Sequence, residues 1–329
     1  MARLAECNPA TVSRALNNTS YVKPETKARI MAAARELNYR PDVFARILKT
    51  RKRYTIGVVV PNVHMTIFDD IIQCIEVEAR RAGYYIVFCH TNDNPEIEAQ
   101  CLERLRAGFV DGIIIASTGQ NNDLIREIHS QGIAIVQIIR DHDETLNSIV
   151  SDYKQACYNA VHYLYDKGCR NIGLLNGPSH GGNAIKPYRI RYEGYQCAVN
   201  ELGLREICEF TDGVINSFES GLLCAKKLIN ENPELDAIMT AVDVYGMATL
   251  RLLRGKNIDV PGKIKVISLT GYSVGNLLER SLTSFELPAQ EIGESAARMV
   301  IQEIEAPVDN KPSPQHITLA ATLSERDSS

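Results

Sequence analysis

Residues 55–61 read TIGVVVP, an apolar run rich in β-branched residues and closed by proline. A strand this continuously apolar is buried on both faces, as strands of a parallel sheet between helices are. The same kind of run returns at YYIVFCH (84–90), DGIIIAS (111–117) and IAIVQII (133–139), each separated from the next by helical periodicity. Alternating strand and helix predicts a parallel sheet with right-handed crossovers. After Asp152 a helical stretch leads to NIGLLNG (171–177), and the alternation resumes through AIMTAVD (237–243) and IKVISLT (264–270). Two such runs predict an α/β core of two doubly wound parallel-sheet lobes. Open parallel sheets bind ligands at the carboxyl ends of their strands, and two facing lobes form a cleft that closes on a small molecule.

Ahead of this core the chain changes character. NPATVSRALNN (8–18) has Asn8 as an N-cap and Pro9 at the first helical position, where a missing N–H costs nothing. At about 100° per residue Val12, Ala15 and Leu16 share one arc, and Pro9, Ala10, Ser13, Arg14 and Asn17 the opposite one. A second helix opens at Pro24-Glu25-Thr26, with Ile30, Met31, Ala34 and Leu37 at helical spacing, and breaks at Tyr39-Arg40-Pro41. A short stretch over 42–50 carries Val43, Ile47 and Leu48 on one side, and Arg51-Lys52-Arg53 follows as a linker. Residues 1–53 hold twelve Lys/Arg against four Asp/Glu, a net of +8, whereas the remainder holds 24 against 36, a net of −12. A basic head on an acidic body points to a polyanion met by the head alone.

The composition removes several classes. Nine cysteines are scattered without a C-x-x-C pair or His/Cys spacing suited to zinc, so neither a metal site nor a disulfide framework is expected. The odd count and the lack of a signal-peptide pattern suit reduced thiols in a cytoplasm. No apolar run approaches about 18 residues, so no membrane span is expected. A P-loop, a G-x-G-x-x-G after a strand and a G-x-S-x-G elbow are all missing, so no enzyme chemistry and no cofactor are motivated.

The whole chain resembles the lactose-repressor/galactose-repressor (LacI/GalR) family of bacterial transcription regulators. NPATVSRALNN resembles the family's recognition helix, YVKPETKARIMAAARELNYRP its third helix and DVFARILKT its hinge helix. IGVVVPNVHMTIFDDI, RIRYEGY and the closing LSERDSS also match. The resemblance implies an all-α helix-turn-helix head over 1–41, a hinge helix and linker over 42–53, and a periplasmic-binding-protein-like core over 54–329. Within that core it implies one lobe of 54–153 plus about 284–314 and another of 154–283 plus about 315–325, joined by crossovers.

By resemblance, the helix beginning at Pro9 lies in the major groove, with Pro9, Ala10 and Arg14 at base-reading positions and Thr11, Ser13, Asn17 and Tyr21 near phosphates. The chemistry agrees: Arg takes guanine O6 and N7 together, Ala offers an apolar contact, and hydroxyls and amides suit phosphate oxygens. Leu48 matches the hinge residue that wedges into the minor groove. For the effector cleft the resemblance implies Asn62, His64 and Phe68 after the first strand, Arg140 and Asp152 after later strands of the first lobe, and Arg191, Asn216, Asp243 and Thr270 in the second. Arg191, in RIRYEGY, matches the family's ligand-gripping arginine, whose planar fork suits paired hydroxyls or an acidic group. Asp243 reads equally well as a helix cap. The sequence departs from the family at Val242, at Asn216 and at Thr270, which stands where the GFD turn has its acid.

The expected function is that of a ligand-controlled transcriptional repressor, acting as a homodimer on a pseudo-palindromic operator and sensing a sugar or sugar phosphate. The alternatives are a sugar-binding protein without a DNA-binding role, and a regulator using a phosphocarrier protein as corepressor, since QEIGESAARMV (290–300) loosely resembles that subgroup's contact helix. Family heads begin about eight residues earlier, so MARLAEC is expected to leave the first helix short and the recognition helix weakly supported.

Overall fold

The computed structural model describes residues 2–17, 20–37, 39, 52–61, 63, 66–108, 110–178, 185–211, 217–271, 275, 278–307 and 312–329. The chain divides into two compact units, Met1–Arg53 and Tyr54–Ser329.

In the first unit, α1 (Pro9–Asn17) starts where Asn8 caps it: the Asn8 Oδ1 accepts from the Ala10 N–H at 2.8 Å. Residues 2–6 form turns, not a helix. Val12 and Ala15 pack with Ala5, and with Ile30 and Ala33 of α2 (Pro24–Glu36), in a core of small side chains. Met31 and Leu37, expected on that buried face, are 41% and 52% exposed. The apolar stripe runs through Ile30, Ala33 and Ala34 instead, and Leu37 falls past the last helical turn, at the C-cap.

The second unit contains two sheets. The first takes β1 (Thr55–Val60), β2 (Tyr85–His90), β3 (Gly112–Ile115), β4 (Ala134–Ile138), β5 (Asn147–Ser151) and β11 (His316–Leu319) in the order β11-β5-β4-β3-β1-β2. The second takes β6 (Ile172–Asn176), β7 (Ile207–Phe210), β8 (Ala237–Thr240), β9 (Lys265–Gly271), β10 (Thr283–Glu286) and β12 (Thr322–Ser324) in the order β12-β10-β9-β8-β6-β7. All pairings are parallel except that of β10 with β12. The central strands β1, β3, β4, β6 and β8 are buried almost throughout, as the β-branched runs required.

Helices α3 (Thr66–Arg81), α4 (Pro95–Arg106), α5 (Asn122–Ser130) and α10 (Ala289–Glu305) belong to the first lobe. The second lobe has α6 (Tyr153–Asp166), α7 (Lys186–Glu201), α8 (Phe218–Glu231) and α9 (Asp243–Gly255). The chain crosses between lobes three times, after β5, after β10 and after β11. The last two crossings differ from the expected boundaries. Ser284–Glu286 stay in the second sheet because β10 pairs with β9, and 316–319 return to the first because β11 adds beside β5. Backbone pairing, invisible in the local pattern, decides both.

Candidate functional site

The carboxyl ends of β4 and β9, and the starts of α6, α7 and α9, converge between the lobes on a cavity of about 30 Å³. Phe68, Arg140, Tyr153, Tyr188, Arg191, Val242 and Thr270 line it, among others. It has room for about two waters, an order of magnitude less than a ligand-filled pocket of roughly 300–1,000 Å³. Across the gap between the lobes, Lys186 of the second lobe forms an ion pair with Asp141 of the first at 2.9 Å. Filling the cavity with a sugar therefore requires the lobes or their loops to part.

Arg191 is inward because of helical spacing. Tyr188, Arg191 and Tyr195 recur at i, i+3 and i+7 on the buried stripe of α7, beginning just after Pro187 in its first turn. The Arg191 guanidinium stacks over the Tyr153 ring at 4.4 Å and lies 5.6 Å from that of Tyr188. Only 3% of the residue is exposed, and its Nε has no hydrogen-bond partner among the described residues. Burial pushes its pKa down, partly offset by the two tyrosines, and Arg140 pushes the same way as burial.

Arg140 is differently served. It follows Ile139, whose φ of 66° is an outlier for a β-branched residue. The strained turn is held by Ile139 N–H donating to Ile149 at 2.9 Å and Arg140 N–H to Ile138 at 2.6 Å. It points the Arg140 side chain at Asp93, which accepts from both terminal nitrogens at 2.5 and 3.1 Å. Burial works against this charge, but Asp93 prevails and the Arg140 pKa is raised.

Four of the expected effector residues thus meet at the cavity: Phe68, Arg140, Arg191 and Thr270. Thr270 Oγ1 donates to the Ala241 carbonyl at 3.2 Å. Two others do not line it. Asp152 is exposed and caps α6, its Oδ1 accepting from the Gln155 N–H at 2.9 Å, because the first turn of that helix needs an acceptor. Asp243 occupies the first turn of α9 and is buried beside Ser268, whose hydroxyl favours the charged carboxylate against the effect of burial. Asn62, His64, Asn216 and Leu48, with the expected hinge helix over 42–50, lie outside the described residues. Sequence reasoning missed Tyr153, Tyr188 and Asp93; the one available signal was Tyr188 three residues before Arg191 on the same helix face.

Burial raises the Asp243 carboxyl to about 7. The folded state therefore binds this proton more tightly than the unfolded one, so its contribution is full below the unfolded pKa near 3.8 and is lost as pH rises towards 7. Asp243→Asn is expected to flatten that slope and to stabilise the protein at pH 8 by at most about 4 kcal/mol. Parallel urea titrations of both proteins at pH 5 and pH 8 check it; equal slopes refute it.

On the first unit, Pro9, Ala10, Arg14 and Tyr21 are exposed, Thr11 and Ser13 partly so, while Val12 and Ala15 are buried. The Asn17 side chain lies outside the described residues.

A two-lobed cleft-bearing core preceded by a small basic helical unit defines the class: a ligand-binding regulator with a nucleic-acid-binding head. Residues 53–324 match the family of periplasmic binding proteins and sugar binding domain of LacI family, and residues 1–42 match bacterial regulatory proteins, lacI family. The chain belongs to the LacI family of bacterial regulatory proteins. It is 30% identical over 344 residues to the HTH-type transcriptional regulator RegA of Clostridium acetobutylicum, covering 100% of this chain and 97% of that one. It is 28% identical over 305 residues to the ribose operon repressor of Halalkalibacterium halodurans, covering 93% and 89%. The fold matches that of a lac repressor dimer bound to operator and the anti-inducer ONPF, with a TM-score of 0.84 at 21% identity, covering 99% of this chain and 97% of that one. Among the described residues no helix is long and apolar enough to cross a membrane.

Proposed function

We propose that this protein is a sequence-specific transcriptional repressor of the cytoplasm, a homodimer whose hold on a pseudo-palindromic operator is controlled by a small carbohydrate-type effector. What carries the reading is the presence, in one LacI-family chain, of an outward face of Pro9, Ala10 and Arg14 on a capped helix and of an interlobe cavity lined by Arg140 and Arg191. Residues 1–41 form the DNA-reading head, 42–53 the hinge and linker, and 54–329 the effector and dimerisation core. Pro9, Ala10 and Arg14 read bases, with Thr11, Ser13, Asn17 and Tyr21 near phosphates and Leu48 at the minor groove. Phe68, Arg140, Arg191 and Thr270 contact effector, joined by Asn62, His64 and Asn216. Because the chain crosses between lobes three times, a ligand preferring one lobe angle shifts the dimer, and thereby the hinges, by no more than its differential affinity.

The test selects duplexes from a random pool with the full-length protein at fixed salt, then measures affinity by anisotropy. Enrichment of two half-sites related by dyad symmetry is expected. Arg14→Ala should weaken the selected duplex by about 10–100-fold and relax one base position per half-site. Failure to enrich any sequence overturns the reading.

A further inference from the structure

Two of the free cysteines meet between the edge strand β2 and the helix that follows it. In register Cys89 stands beside Val59 of β1, on the same face of the sheet. Helix α4 covers that face: Val59 packs with Leu102 and Leu105 in a cluster to which Cys89 adds its side chain. On α4, Cys101 precedes Leu102 and lies one turn before Leu105, at the flank of the helix's buried stripe. The Cys101 thiol is hydrogen-bonded to that of Cys89, and both are free and half-buried. Burial pushes the Cys89 thiol up to about 11, Cys101 adds to the rise, and the positive charge of Arg104 pulls the other way. Between the two cysteines runs the loop 91–94. Its Asn92 and Asp93 are left-handed, with φ of 52° and 54°, and Asn94 caps α4 by accepting from the Glu96 and Ile97 N–H groups at 2.8 and 3.1 Å. Asp93 is the carboxylate that holds Arg140 at the interlobe cavity.

We infer that Cys89 and Cys101 are a redox-modifiable site: a low-molecular-weight disulfide oxidises them to a reversible internal disulfide that straps the ends of the loop carrying Asp93. The Cys101 thiolate attacks one sulfur of the small disulfide. That S–S bond breaks, half of the oxidant leaves as a thiolate and takes a proton from water, and a mixed disulfide stands on Cys101. Loss of the Cys101 charge removes part of what raised the Cys89 thiol. Cys89 then gives its proton to solvent and attacks the Cys101 sulfur, forming the internal bond and releasing the second half of the oxidant. The cysteine pair loses two electrons and the small disulfide gains them. The bonded sulfurs stand about 2.05 Å apart, closer than hydrogen-bonded thiols. Strand β2 has the freedom to make that approach because it is the edge of its sheet, with β1 as its one neighbour. The bond closes a ring around Asp93, restricting the unfolded chain and the loop alike. A pair that rests as thiols and closes on oxidation is of the regulatory kind, not the structural kind.

The test equilibrates full-length protein with glutathione at a series of disulfide-to-thiol ratios, blocks the remaining thiols with N-ethylmaleimide and maps the cysteines by mass spectrometry. A cross-link between the peptides carrying Cys89 and Cys101, within one chain and lost on reduction with dithiothreitol, is expected. The exposed Cys197 serves as the internal control, since a glutathione adduct there shows that the oxidant is active. The oxidised protein should melt several degrees above the reduced one, with slower amide hydrogen exchange over residues 91–97. Cys89→Ala should retain glutathione on Cys101, because the second step is blocked, whereas Cys101→Ala should leave Cys89 unmodified; neither should show the rise in Tm. Adducts on both cysteines without a cross-link overturn the proposal. A bond from either one to a different cysteine or to a second chain does so too, as does a Cys89–Cys101 bond that lowers the Tm or leaves exchange over 91–97 unchanged. The map of the parent protein decides by itself if either variant fails to fold.

Discussion

Asp93→Asn is expected to destabilise the core by about 3–5 kcal/mol, the usual cost of removing one partner from a buried ion pair. Both side chains are largely inaccessible, at 8% for Asp93 and 7% for Arg140, so water cannot take over the lost contact. Asn suits the site sterically, since position 93 has a φ of 54° and asparagine tolerates the left-handed region as aspartate does. The loss is therefore electrostatic. Adding Arg140→Met to Asp93→Asn should recover most of it, because the uncompensated guanidinium is then gone. Urea midpoints of the parent, the single variant and the double variant form the measurement. A single variant within about 1 kcal/mol of the parent would show that the pair contributes little to folding.

Gly194→Ala should cost about 3 kcal/mol. A Cβ built on Gly194 lies 2.3 Å from the Lys154 carbonyl oxygen, on the facing turn of α6. The obstacle is backbone, so no rotamer change relieves it, and the two helices must separate. That separation pulls Tyr188 and Arg191 on α7 away from Tyr153 at the start of α6. The same substitution should consequently weaken the effector response along with the fold. Gly255 provides the control: nothing lies within 4 Å of its built Cβ, and Gly255→Ala should be neutral or slightly stabilising. Thermal melts of the two variants with and without the effector give both readouts. A Gly194→Ala protein as stable as the Gly255→Ala one would refute the close-approach account.

The central strands were legible because burial on both faces demands an uninterrupted apolar run, and β1, β3, β4, β6, β8 and β9 all supply one. Of the edge strands only β2 was legible, from YYIVFCH. Its expected burial on both faces fails, because it has a neighbour on one side only and no residue of Tyr85–His90 is buried. The strands β7, β11 and β12 were not legible. In β7 three of four residues are only partly buried, and β11 and β12 have no buried residue, so their sequences lack the signal. Their existence depends on a neighbouring strand offering unpaired backbone groups. The crossover positions followed from the same missing information: β10 belongs to the second lobe because β9 lies open beside it, not because of anything in Thr283–Glu286 themselves.

At the site, the inward position of Arg191 was readable from motif and spacing, and the Asn8 cap and the outward face of α1 from local chemistry. The sequence by itself determined the family, the order of strands and helices along each lobe, the basic head on an acidic body, and the side chains available to a cleft. Only the tertiary structure decided which charges in that cleft are cancelled. Asp93 and Arg140 stand 47 residues apart and are joined by a turn strained at Ile139, whereas Asp152 and Asp243, the carboxylates that resembled ligand contacts, are drawn to the first turns of α6 and α9. Electrostatic pairing acts through space at a few ångströms and is strengthened by burial, so the chain's linear order carries almost no record of it.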